Sequence, residues 1–409
     1  MTDTSAETPE PTLLSAPRDG VPFVIDTASG LRRAAEALAS GQGPAGVDAE
    51  RASGFRYGQR AFLVQIRREG AGTWLIDPEA FDSLAPLDEA LRGVEWILHA
   101  ASQDLPCLAE AGMHPDALFD TELAARLAGL PRVGLGAVVE QLLGLRLAKE
   151  HSAADWSKRP LPESWLNYAA LDVEVLADLR EELAELLEES GKLEYALEEF
   201  EAIRTAPPAP PRQDPWRRTS GLHTLRDRRQ LAAVRELWHE REALAENRDT
   251  APGKIIGDKS IVAAAKAMPT TVPALLNTPG FHGRAAAKEA PRWMRALNAA
   301  RRSQDLPPLH LPSNSPPPPR VWADKNPDAA RRLNTAKPRL ARAAEELNLP
   351  LENLLTPDFL RRIAWRPPTP IDPESVAQAL RDLGAREWQV RLAGPIITVA
   401  FLDPDPLDT

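Results

Sequence analysis

Residues 45–78 read AGVDAERASGFRYGQRAFLVQIRREGAGTWLIDP. Three apolar runs, AGVDAE, AFLVQIRR and TWLIDP, are separated by turn-rich segments and have the length and composition of strands. Upstream, PFVIDT (22–27) reads as another short strand and SGLRRAAEALAS (29–40) as a capped helix. Downstream, EWILHA (95–100) reads as one more strand. From residue 103 the pattern turns helical, through QDLPCLAEAG, DTELAARLAGL, LGAVVEQLLG and the long PESWLNYAALDVEVLADLREELAELLEES (162–190). Strands first and helices after predict an α/β unit, a central mixed sheet flanked by helices.

The remaining sequence is divided by proline. RTAPPAPPRQDPW and DLPPLHLPSNSPPPPR cannot continue helices and mark linkers at 201–219 and 303–320. The expected organisation is a disordered tail at 1–20, an α/β domain at 21–200, a helical domain at 220–302 and a third domain at 321–409. In the second, Leu231, Val234, Leu237, Trp238 and Leu244 share one helical face. The third opens similarly, as a diverged repeat, and ends in EWQVRLAGPIITVAF, which alternates like strands.

Composition narrows the chemistry. The 409 residues carry a net charge of −10, against bulk non-specific nucleic-acid binding but not against a local basic groove or an acidic metal site. One cysteine, Cys107, excludes an intramolecular disulfide and a multi-cysteine zinc site, and fits a reducing cytoplasm. The acidic N-terminus does not read as a signal peptide, and no apolar run is long enough to cross a membrane.

Asp48 and Glu50 stand at i and i+2 on a strand, so both carboxylates face one side and can grip one cation. D-x-E occurs five times in the chain, so the pair reads equally as a solvated strand end. Asp104 follows EWILHA across a small-residue turn and by itself reads as a helix N-cap, as does Asp120 in LFDTELAARL. Tyr168 and Asp172 in NYAALDV are one helical turn apart and project from one face. Taken singly, a core aromatic and a solvated acid describe them as well.

In order, however, the residues run D-x-E, D, Y-x-x-x-D. With ILHAASQDL, FDTELAARLAG, HSAADWSKRPL and YAALDVEVL, residues 25–200 resemble the DEDD 3′→5′ exonucleases, specifically the ribonuclease D family. The second segment, through ELWHEREALAENRDTAPGKIIGDKSIVAAA, is similar to the helicase-and-RNase-D C-terminal (HRDC) domain. The resemblance implies a ribonuclease H-like exonuclease domain followed by one or two small all-α HRDC-like domains. It also implies a metal-binding tetrad of Asp48, Glu50, Asp104 and Asp172, with Tyr168 as the catalytic tyrosine that defines its branch. The sister branch uses a histidine at the position of Asn167. Arg51 departs from the family, which more often carries an aromatic directly after the glutamate.

The implied chemistry is hydrolysis of the 3′-terminal phosphodiester of RNA, releasing nucleoside 5′-monophosphates, with 3′ ends of tRNA precursors and other small structured RNAs as substrates. A DNA 3′→5′ exonuclease is the competing enzyme reading, and a catalytically silent binding module the non-enzymatic one. Two hard cations, Mg²⁺ or Mn²⁺, about 3.5–4 Å apart, would generate a hydroxide and stabilise the leaving 3′-oxygen. An ordinary tyrosine is a poor base at neutral pH, so Tyr168 is expected to orient the attacking water. Tyr57, His151, Lys158 and Arg159 are candidate substrate contacts, and the doublets Arg217–Arg218 and Arg228–Arg229 are either phosphate contacts or solvated charges. No membrane and no obligate protein partner are expected.

Overall fold

The structure, a computed structural model, describes residues 10–148 and 153–406. Eight strands form among them: β1 (Thr12–Leu14), β2 (Val24–Ile25), β3 (Gln42–Arg51), β4 (Ala61–Glu69), β5 (Gly72–Ile76), β6 (Glu95–Leu98), β7 (Ala117–Asp120) and β8 (Leu145–Leu147). Six make a mixed sheet in the order β2-β5-β4-β3-β6-β7. β3, β4 and β5 pair antiparallel, and β2–β5, β3–β6 and β6–β7 pair parallel. The expected sheet is therefore present. β7, ALFD, escapes sequence reading because it runs straight into Asp120, the N-cap of the next helix, and so reads as the approach to that helix.

β3 lies inside the sheet, with Ala45, Val47 and Ala49 buried. Gly46, on the alternate face, lies against the helix Glu163–Glu174. A Cβ at Gly46 would stand 3.1 Å from the Val173 carbonyl oxygen and 3.3 Å from Leu176 Cβ. Only glycine permits this approach without pushing the helix away. The run expected as one helix over 162–190 breaks at Val175 into Glu163–Glu174 and Leu176–Glu189.

Residues 10–20 correct the expected disordered tail. β1 pairs in parallel with β8, Asn167 Nδ2 donates to the Ser15 carbonyl at 2.9 Å, and Arg18 pairs with Glu174 and Asp178. Proline and serine content suggested disorder, whereas the order comes from backbone pairing with a strand more than 130 residues away. The start of the 201–219 linker is corrected as well, since the helix Leu193–Arg204 runs into it.

The helices Arg228–Asn247, Asp258–Ala267, Val272–Leu276 and Gly283–Arg302 enclose a separate core around Trp216, Leu237, Phe281, Trp293 and Leu297. The third segment is helical throughout its described residues from Trp322 to Leu402, with short connections. The strands expected in EWQVRLAGPIITVAF are instead the helix Glu387–Leu402. Its buried residues include Val390, Ala393, Ile397, Ala400 and Phe401, a three-to-four spacing that serves a core helix and overrides the strand preference of Ile396–Ile397–Thr398–Val399.

The third segment also shares one hydrophobic core with the α/β unit. Trp388 stacks on Tyr195 with ring centroids 4.9 Å apart, and its Nε1 donates to Glu199 at 3.0 Å. The buried Lys192 donates through Nζ to the Leu127 and Asn348 carbonyls, tying the two parts together.

Candidate active site

All five residues of the expected constellation line one open cleft of about 670 Å³: Asp48 and Glu50 from β3, Asp104 from the turn after β6, and Tyr168 and Asp172 from the helix Glu163–Glu174. Arg51, Phe55, His99 and Gln103 are among the other residues that line it. Strand alternation turns Asp48 and Glu50 to the face that Gly46 opens to this helix, where Asp172 descends to meet them. Asp48, Glu50 and Asp172 each offer an oxygen within 4.8 Å of the others.

Asp104 and Asp120, each of which reads as an N-cap when taken by itself, are used differently. Both hold an N-cap position. Asp120 caps its helix, accepting from the Glu122 and Leu123 amides, and also holds the Ala100 and Ala101 amides at 3.1 and 2.9 Å. Asp104 makes no side-chain cap and lines the cleft. Asp120 thus fixes the turn that delivers Asp104, including Ala100, whose left-handed backbone (φ 61°) disfavours a side chain. Asp120→Ala should destabilise the protein by about 2–4 kcal/mol in urea unfolding, because four amides around a buried site lose their acceptor. A loss below about 1 kcal/mol would contradict that role.

The Tyr168 ring packs against Trp156 (centroids 6.3 Å apart) within a cluster that includes Phe62, Leu63 and Trp165. Its hydroxyl hydrogen-bonds Asp172. Burial, then the charges of Asp172 and Glu50, push the phenol pKa up, so Tyr168 is no base at neutral pH. The same crowding acts on the acids. Burial and then Asp48, Asp172 and Asp104 push Glu50 up to about 10, and burial and then Asp48 push Asp104 up to about 8. Asp48 is raised by burial.

These shifts give stability a definite pH dependence without cations. A carboxyl whose folded pKa is raised binds its proton more tightly folded than unfolded, so its contribution is full below the unfolded value and is lost as pH rises toward the folded one. In EDTA the melting temperature should therefore fall more steeply between pH 5 and 9 for the wild type than for Glu50→Gln. Saturating Mg²⁺ should remove the difference. Parallel slopes in EDTA would refute the electrostatic strain.

The candidate substrate contacts divide. Lys158 is exposed, with its Nζ 5.8 Å from the Trp165 ring centroid. Arg159 is engaged internally: it forks onto Asp77 at 2.6 and 2.7 Å and donates to the Phe62, Trp156 and Lys158 carbonyls, so each guanidinium nitrogen already has an acceptor. Tyr57 does not line the cleft. Its amide donates to Asp249 at 3.3 Å, and Glu242 and Glu246 of the helix Arg228–Asn247 act on its phenol. The segment after β3 turns rather than running extended, so Phe55 faces the cleft and Tyr57 the neighbouring helical domain. His151 lies outside the described residues. Of the arginine doublets, Arg217, Arg228 and Arg229 are engaged by Asp214 or by backbone carbonyls.

Sequence reasoning did not single out Gln65 or His99. Gln65 opposes Asp48 directly across β3 and β4 and is fully buried. His99 lines the cleft, bonds Thr121 Oγ1 through Nδ1 at 2.9 Å, and is held neutral by burial, which lowers its pKa to about 4. The cross-strand register that sets Gln65 opposite Asp48 is not legible in one dimension.

Fold and site together match a known class. Residues 22–188 match the 3′-5′ exonuclease family model, residues 230–297 the HRDC domain, and residues 315–401 the 3′ to 5′ exonuclease C-terminal domain. The chain is 32% identical over 273 residues to ribonuclease D of Pseudomonas paraeruginosa, 63% of this chain and 69% of that protein. It is 35% identical over 232 residues to ribonuclease D of Gluconacetobacter diazotrophicus, 54% of this chain, and the match spans only 58% of that relative's length. Among solved structures, a protein from Bifidobacterium adolescentis superposes with TM-score 0.89 at 40% identity, over 96% of this chain and all of that one. Escherichia coli RNase D, described as an exoribonuclease involved in structured RNA processing, superposes with TM-score 0.66 at 26% identity, over 94% of this chain and 99% of that one. The chain belongs to the ribonuclease D family. Among the described residues no helix is long and apolar enough to cross a membrane.

Proposed function

We propose that the protein is a metal-dependent 3′→5′ exoribonuclease that releases nucleoside 5′-monophosphates from the 3′ ends of tRNA precursors and other small structured RNAs, acting in the cytoplasm. The observation that carries this reading is the convergence of Asp48, Glu50, Asp104, Tyr168 and Asp172 in one cleft of a ribonuclease D-family chain. The all-oxygen donor set, three of whose carboxylates already share a 4.8 Å neighbourhood, fits hard divalent cations such as Mg²⁺ or Mn²⁺. Two such ions, held by the four acids, would supply a hydroxide near neutral pH and positive charge for the leaving 3′-oxygen.

The protein's own groups do the rest. The Tyr168 hydroxyl, anchored by a packed ring, orients the attacking water and keeps its own proton. Phe55 offers a flat apolar face for the terminal base, and its loop is fastened by the Ala251 amide on its carbonyl and by Lys254 3.9 Å over its ring. Asp249 holds the same loop through Arg56 and Arg60.

The test is a degradation assay with 3′-labelled RNA and DNA of equal sequence, in Mg²⁺, Mn²⁺ or EDTA. RNA should shorten stepwise from its 3′ end in either metal and remain intact in EDTA. Activity unaffected by EDTA would overturn the metal-dependent reading, and faster loss of DNA would make the protein a DNA exonuclease.

A further inference from the structure

Gln65 is a fully buried amide on β4, between β3 and β5. Neither its Nε2 nor its Oε1 has a hydrogen-bond partner among the described residues. Buried side-chain amides are hydrogen-bonded as a rule, because an unpaired one loses its hydration and gains no bond in return. The neighbours show why this one goes without. Along β4 the residues on its face are Leu63 and Arg67, and directly across on β5 stands Leu75. Leu63 and Leu75 belong to one apolar cluster with Ala169 and Ala170 of the helix Glu163–Glu174. Arg67 carries donors alone and is engaged with Asp19, Glu174 and the Thr73 hydroxyl. The remaining neighbour is Asp48, directly opposite on β3. Opposed residues of an antiparallel pair point to one side of the sheet with Cβ atoms about 4.5–5.5 Å apart, within reach of a glutamine amide. Gln65 is not among the residues that line the cleft; it stands behind Asp48, which is.

We propose that Gln65 is a positioning residue for Asp48: when the site holds a divalent cation, the Gln65 side chain turns so that Nε2 donates to the Asp48 carboxylate and fixes it in its ligating orientation. This rests on the reading of the protein as a metal-dependent nuclease. Carboxylates that ligate metals are themselves hydrogen-bonded from behind, and losing such a partner typically lowers metal affinity about 10–100-fold. An amide suits the position. It is neutral, so it does not compete with the cation as a lysine or arginine would, and it adds no negative charge to a site already crowded with acids. The unpaired amide destabilises the empty protein, and loading the site relieves it. Gln65 therefore acts on cation affinity and on the stability of the empty protein with opposite signs.

The experiment is Mn²⁺ titration of the EDTA-stripped full chain, with free Mn²⁺ read by electron paramagnetic resonance and thermal melting followed by circular dichroism. Wild type is compared with Gln65→Met, which keeps the length of the side chain without its polar atoms, and with Gln65→Leu as a second apolar variant should the first not fold. In EDTA the apolar variant should melt at or above the wild-type temperature, because the unpaired amide is gone. It should nevertheless bind Mn²⁺ about tenfold or more weakly, and its Mn²⁺-induced rise in melting temperature should shrink accordingly. A glutamine that served packing alone would give the reverse, a lower melting temperature in EDTA with Mn²⁺ affinity unchanged. An affinity within about twofold of wild type in a folded variant overturns the inference. If the wild type itself takes up no Mn²⁺, the metal-dependent reading fails and this inference falls with it.

Discussion

Asp172→Asn is expected to lower the RNA-degrading rate on the order of ten-thousandfold, about 5.4 kcal/mol of barrier. Two contributions are weakened together. Asp172 is one of the three carboxylates with oxygens within 4.8 Å of one another, and it is also the hydrogen-bond partner of Tyr168. An amide keeps the volume and removes the charge, so the comparison isolates electrostatics from packing. In EDTA the variant should melt no lower than the wild type, because one of several mutually repelling buried charges has gone. Asp172 is among the causes that raise Glu50. Added Mg²⁺ should stabilise the wild type through linkage to binding and should do much less for the variant. Retention of more than about one percent of the rate, or an undiminished Mg²⁺-induced rise in melting temperature, would remove Asp172 from the site.

Tyr168→Phe should lower kcat by about 10²–10³-fold, the range for a positioned proton-handling group. Its Mg²⁺-induced stabilisation should stay close to wild type. The ring is packed against Trp156 and its neighbours, and phenylalanine fills the same bed. Only the hydroxyl is lost. Because the phenol pKa is pushed up rather than down, the wild-type pH–rate profile should contain no ionisation belonging to Tyr168 below pH 9. Near-wild-type turnover in Tyr168→Phe would refute the water-orienting role. A changed profile with unchanged maximal rate would instead mean that the hydroxyl titrates.

These two variants also separate binding from orientation. Asp172→Asn should affect cation-linked stability and rate, whereas Tyr168→Phe should affect rate alone. A protein in which both variants lose Mg²⁺-induced stability would show that Tyr168 acts mainly by holding Asp172 in place.

Much of the α/β unit was legible because its signals are local. AGVDAE, AFLVQIRR and TWLIDP carry period and composition within themselves, and they became β3, β4 and β5. The spacing of Asp48 with Glu50, and of Tyr168 with Asp172, converts directly into shared faces, because strand and helix periods are properties of the backbone. Elements without a signal of their own were not legible: β7 runs straight into the Asp120 helix cap, and β1 pairs with β8 alone. The terminal helix Glu387–Leu402 was misread for a related reason, since its β-branched run favours a strand until burial on several sides makes a helix the better fit.

Sequence alone, then, determined which residue types were available and which pairs had to share a face: Asp48 with Glu50, and Tyr168 with Asp172. Tertiary structure decided what each remaining side chain touches. It sent Phe55 to the cleft and Tyr57 to the helical neighbour, and committed Arg159 to Asp77. It also joined the third segment to the α/β core and laid Arg51 on Asp104. The physical reason is common to all of these. A side chain's charge and reach are written at its own position, but the partner that satisfies or opposes them arrives from elsewhere in the chain, and only folding brings the two together.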